Sequence, residues 1–322
     1  MAIRIKLFLF CSLFCLVTAA SAQQSSVDSA QIRGAMEFLA SDALQGRGSG
    51  SHDELLAATY LASQLREIGI EPAGDNGGFI QDVSGEFDFY GQGKKQWNTR
   101  NVIGKLEGRD EKLKDQVILL TAHLDHLGVR KPVDGDSIYN GADDDASGCV
   151  AVLQLARALA HEKAPKRTVL FVFFGSEETG GQGNQYFLQH PPVPLKNIVA
   201  NLEFEMIGRA DSAVKPDELW LTGFDRSNLG PELAKHGAKL VADPHPNQNF
   251  FQRSDNYALA KQGIIAHTVS SFGLHKDYHR PSDDVAHIDF NHMEEAIHSM
   301  VGPVRWLADS DFKPEWVQGK KP

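Results

Sequence analysis

The chain has 322 residues, 42% of them hydrophobic, with 42 Asp and Glu against 32 Lys and Arg for a formal net charge of −10. Such acidity argues against nucleic acid or an anionic membrane as a partner. The length suits one large domain or two small ones, and because no Pro/Ser-rich linker, low-complexity tract or internal repeat divides the chain, a single domain with loop insertions is expected.

The opening residues follow the plan of a cleavable secretory signal: Arg4 and Lys6, an apolar run over 7–19, then Ala20-Ser21-Ala22. That run is too short to span a bilayer. The expectation is cleavage after Ala22, a mature catalytic domain over 23–322 with no stable membrane anchor, and a secreted or periplasmic location. Cleavage would remove two cations and no acid, together with Cys11 and Cys15. Cys149 would then be alone, which excludes an internal disulfide. Its place in an apolar run marks it as a small core residue rather than a nucleophile.

Ser51-His52-Asp53-Glu54 reads as a capping box opening a helix whose apolar face, Leu55, Ala58, Ala62, Leu65 and Ile68, ends at Gly69. Residues 116–121 are a continuously apolar strand of the kind found in mostly parallel sheets. Residues 147–160 form a helix apolar nearly all round, broken only by Gln154 and Arg157, so it should be buried. Strands follow over 167–174 and 198–204. A closing helix presents Phe290, Met293, Ile297, Met300, Val301, Val304 and Leu307 on one side. This alternation predicts an α/β three-layer sandwich with a mostly parallel central sheet and helices on both faces. Ligands of such sheets gather at the carboxyl ends of the strands. His123 follows the first strand, Glu177 and Glu178 the second, and Glu205 the third.

Imidazole and carboxylate are zinc ligands, which makes His123 a candidate ligand and Asp125, two residues on, a candidate to fix its tautomer. Asp143, Asp144 and Asp145 repel one another and are costly to bury together, so the triplet fits a metal cluster, with Asp144 as the bridging group. Of the neighbours Glu177 and Glu178, one can bind metal while the other acts as general base. His279, in Tyr278-His279-Arg280-Pro281-Ser282-Asp283, is distant in sequence but available to close the site.

The ordered words His123-x-Asp125, Gly141-Ala-Asp-Asp-Asp-Ala-Ser-Gly148, Glu177-Glu178, Asn201-x-Glu203 with Glu205-Met-Ile-Gly208, and Tyr278-His279-x-Pro281-Ser282-Asp283 resemble the secreted dizinc aminopeptidases, relatives of glutaminyl cyclases and glutamate carboxypeptidases. The similarity starts at Phe38-Leu-Ala-Ser-Asp42-x-x-x-Gly46-Arg47 and runs to the final helix. It implies two Zn2+ per chain, one on His123 and Glu205, the other on Glu178 and His279, bridged by Asp144. It further implies Glu177 as general base toward a dizinc-bound water, Asp125 as the group that orients His123, and peptides with a free N-terminus as substrates. Glutaminyl cyclase-like acyl transfer and carboxypeptidase activity are alternatives on the same fold; Arg209, Arg253 and Arg280 are scattered candidates for gripping a substrate carboxylate.

Three positions depart from the pattern. Glu205 stands where aspartate is usual, Ser254-Asp255-Asn256 replaces Ser-Asp-His, and Phe251 replaces a tyrosine proposed to steady the oxyanion, leaving Tyr278 as an alternative donor. Residues 209–253 should carry loops over the site, with Phe224, Phe250 and Phe251 as a possible apolar lining. His292 and His298 are expected to face solvent. His126, His245, His267, His275 and His287 are available to line the pocket, but loop position argues for surface or structural roles.

Overall fold

The computed structural model describes residues 27–88 and 94–322; the expected export signal lies outside the described residues. Helices α1 (Ser29–Leu39) and α2 (His52–Ile68) come first. Ser51 Oγ accepts the Glu54 amide at 3.1 Å, and Gly69, at φ 88°, takes the left-handed turn that ends α2. The capping box is not reciprocal, however. Glu54 points inward, accepting from Gly50 N at 3.0 Å, from Arg100 at 3.1 Å and from the Thr99 hydroxyl. Burial, then the charge of Asp125, push its pKa up to about 8.

The remaining elements are β1 (Glu71–Pro72), β2 (Ile80–Asp88), β3 (Lys94–Leu106), β4 (Val117–His123), β5 (Gly128–Val133), β6 (Asp136–Tyr139), α3 (Gly148–His161), β7 (Thr168–Phe174), α4 (Gln182–Gln189), β8 (Ile198–Phe204), β9 (Leu219–Leu221), α5 (Leu229–Lys235), β10 (Leu240–Ala242), α6 (Asn256–Lys261), β11 (Ile265–Ser270) and α7 (Phe290–Asp309). Among the described residues, nine strands form one sheet in the order β1-β3-β7-β4-β8-β11-β9-β10, with β2 also paired to β3. Its centre, β7-β4-β8-β11, is parallel throughout, while β3 and β9 join antiparallel at either side.

Two-sided burial explains why the central strands are apolar at most positions. On β7, Val169, Phe171 and Phe173 pack into the cluster shared with α1, α2, α3 and α7, and Leu170, Val172 and Phe174 pack into the cluster on the other face with α4 and α6. The three-layer expectation is therefore met. Cys149 is a buried core residue whose Sγ lies 3.1 Å from the His123 carbonyl. Residues 209–253 hold more than loops: β9 pairs with β11 and extends the sheet through β10. Among the described residues, no helix is long and apolar enough to cross a membrane.

Candidate metal centre and active site

Parallel register brings three strand ends level: His123 at the end of β4 pairs with Phe174 of β7, and Thr121 pairs with Glu203 of β8. The chain turns sharply just there. Ser176, Met206 and His279 have φ of 63°, 52° and 57°, a left-handed backbone that side chains other than glycine adopt at a cost, and each adjoins or is a candidate site residue.

The aspartate triplet resolves into three environments, all buried. Asp143 accepts from Gly208 N at 2.8 Å and lies 2.9 Å from His275 Nε2. Asp145 accepts from the amides of Gly148 (3.0 Å), Met206 (3.1 Å) and His123 (3.2 Å). The outer two carboxylates are thus satisfied by the chain itself. Asp144 faces His123 and His279, with Oδ1 3.1 Å from His123 Nε2 and Oδ2 3.2 Å from His279 Nε2. Asp283 holds the loop bearing His279 against the triplet, accepting from the amides of Asp143 (2.9 Å) and Asp144 (3.1 Å). Beneath, the buried guanidinium of Arg47 clamps the ligand-bearing turns through the carbonyls of Leu39, Leu124, Asn140 and Gly141.

Ligand atoms of His123, Asp144 and Glu205 lie within 4.8 Å of one another, as do those of His126, Asp144 and Glu178. His279 Nε2 is 3.2 Å from Glu178 Oε2. The five separated residues expected as ligands are therefore neighbours. His123 Nε2, His279 Nε2, both ring nitrogens of His126 and Glu178 Oε1 are buried without a hydrogen-bond partner. Unpaired imidazole nitrogens set among carboxylates are a donor set that suits divalent transition ions.

Charge points the same way. Burial, then the neighbouring charges of Glu178, Glu205 and Asp255, drive the Glu177 pKa well above the usual carboxylate range, although His123 opposes this. Glu205 is pushed up to about 7, chiefly by burial. Burial disfavours a charged His123, yet Asp125 and Asp144 raise its pKa well above the ordinary histidine value. A buried excess of carboxylate is what bound cations relieve.

Asp125 supports the site differently from the sequence expectation. His123 Nδ1 lies 3.2 Å from the Asp125 main-chain carbonyl and 3.8 Å from its carboxylate. The carboxylate instead accepts from Glu177 N at 3.0 Å and from the Ser49 hydroxyl. It fixes the turn that carries Glu177.

A cavity opens beside Glu205, walled by Met206, Trp220, Phe250 and Phe272, with Arg253 and Tyr278 also lining it. Trp220 stacks on Phe250 with centroids 5.3 Å apart. Of the three phenylalanines expected as lining, only Phe250 takes part: Phe251 packs on His267 and Trp316, and Phe224 on the main core. Tyr278 stacks on His279 at 3.8 Å, its hydroxyl 3.5 Å from Arg253 Nη2.

One histidine expectation fails. His292 is buried and bonded to Ser271 Oγ (2.9 Å) and the Pro216 carbonyl (3.1 Å), because the turn of α7 that bears it faces the end of β11. His126 is buried within the candidate centre, 2.8 Å from Glu178 Oε1. Its sequence signal was adjacency to Asp125 just past a buried strand. His298 and His287 are exposed, and His245, His267 and His275 are tied to Asp211, Ser227 and Asp143.

Comparison with known proteins gives the family and the fold. Aminopeptidase YwaD of Bacillus subtilis (strain 168) is 25% identical over 68% of this chain and 47% of its own length. The first curated relatives matched are longer proteins, of which the chain spans 28% to 47%. Among solved structures, BSAP, a zinc aminopeptidase from Bacillus subtilis, superposes with a TM-score of 0.66 at 15% identity, covering 90% of this chain and 97% of that one. A glutaminyl cyclase from Porphyromonas gingivalis gives 0.65 at 18% identity, covering 87% and 98%; at such identities the likeness speaks for the fold. The model of peptidase family M28 matches residues 101–302, more than half of the sequence, and the chain belongs to that family.

Proposed function

We propose that this chain is an exported dizinc aminopeptidase, a single catalytic domain that removes the N-terminal residue from peptides. The observation that carries this reading is the pair of ligand groups meeting at Asp144, one through His123 and Glu205, the other through Glu178 and His279. A one-metal cyclase has no need of both groups. When bound, two divalent ions supply Lewis acidity for a carbonyl and bring the pKa of a water near neutrality.

Glu177 belongs to neither ligand group and is held by the Asp125 bond to its amide. It acts as general base, taking the proton of the attacking water and returning it to the departing amine. Tyr278, kept protonated by burial and by the charges of Asp144 and Glu178, is the donor for the developing oxyanion in place of the absent tyrosine at Phe251. Of the scattered arginines, Arg209 is already paired with Asp277 at 2.9 Å and only Arg253 lines the cavity, which weighs against a carboxypeptidase. The aromatic walls of that cavity support hydrophobic first residues.

Glu177→Gln tests the assignment. The variant is expected to retain zinc while turnover of an aminoacyl anilide falls by roughly a hundred- to ten-thousand-fold; near-normal turnover would refute Glu177 as base.

A further inference from the structure

His126 sits in the turn after β4, its side chain fully buried. Nδ1 stands 2.8 Å from Glu178 Oε1 and 3.9 Å from Asp144 Oδ2. Yet neither ring nitrogen of His126, nor Glu178 Oε1, makes a hydrogen bond among the described residues. Leaving such groups buried and unpaired is costly. The same disposition recurs at His123 Nε2, 3.1 Å from Asp144, and at His279 Nε2, 3.2 Å from both Asp144 and Glu178, neither of them hydrogen-bonded. Nitrogen and oxygen that crowd together without bonding to each other are arranged like ligands of one ion. The His126 ring has little room to turn elsewhere, because Gly141, at φ 60°, faces it so closely that a Cβ there would strike the ring.

We propose that His126 is a further ligand, through Nδ1, of the cation held by Asp144, Glu178 and His279. This rests on the two-metal reading above. The centre on that side then offers two imidazoles and two carboxylates, against one imidazole and two carboxylates for His123, Asp144 and Glu205. Ions that favour imidazole, zinc among them, bind the two-imidazole side more tightly, so that side fills first.

The test is a zinc titration of metal-stripped wild type, His126→Ala and His126→Gln against a competing chelator, with circular dichroism of each stripped protein as the check on folding. Wild type is expected to take up two ions of unequal affinity. In both variants the tighter affinity should fall by about tenfold or more while the weaker stays unchanged. Glutamine can still donate a hydrogen bond to Glu178, so wild-type affinity in His126→Gln would assign His126 to positioning Glu178 and overturn the proposal. Unchanged binding in His126→Ala would overturn it as well. Should His126→Ala fail to fold, His126→Gln decides. A wild type that takes up no zinc would instead overturn the two-metal reading itself, so the two failures remain distinct.

Discussion

His123 and His279 reach the same carboxylate, Asp144, from opposite kinds of support. His123 closes a central strand, its side chain is 1% exposed, and its main chain is bonded to Asp145 and Cys149. His279 lies on a loop, is 36% exposed, and depends on Asp283 and on stacking by Tyr278. The same apolar packing that stabilises the sheet fixes the strand side of the site. A few polar contacts fix the loop side, so the two sides should fail under different perturbations.

Acid should loosen the sheet itself. His267 on β11 is buried between the Thr222 carbonyl and Ser227 Oγ, each at 2.7 Å, and burial lowers its pKa to about 4. Between pH 6.5 and 4 the unfolded chain binds this proton and the folded chain does not. The His267 contribution is therefore complete above pH 6.5 and lost as pH falls toward 4, amounting to roughly 3 kcal/mol. Denaturant unfolding of wild type and His267→Gln across this window should give a stability difference that shrinks toward acid; a constant difference would contradict the assignment.

The loop side should yield to a smaller change. Asp283→Ala removes the carboxylate that holds the His279 loop, so zinc affinity on that side should drop by roughly 10- to 100-fold, with less effect on the side of His123 and Glu205. Equal loss on both sides in chelator competition would mean that the two supports are not separate.

How much of this was legible in the sequence follows the same division. The runs that became β4, β7 and β8 were readable because burial on both faces leaves few polar positions. Ligands at their ends followed from where parallel strands stop. Short strands such as β9 and β10 carry too little pattern to be read from three residues each. Glu54 looked like a capping residue because spacing encodes the helix start but not which way the first turn faces. The loop position of His126 says nothing about burial, which the packing of Gly141 and Glu178 around it supplies. Asp283 appeared only as the last letter of a motif, since its bonds go to amides about 140 residues away.

The most direct test of the shared-carboxylate centre is zinc stoichiometry at Asp144. We expect two zinc ions per chain in wild type and loss of tight binding at both positions in Asp144→Asn, with peptide hydrolysis abolished. Two tightly bound ions in that variant, or wild-type activity that survives complete chelation, would contradict the account.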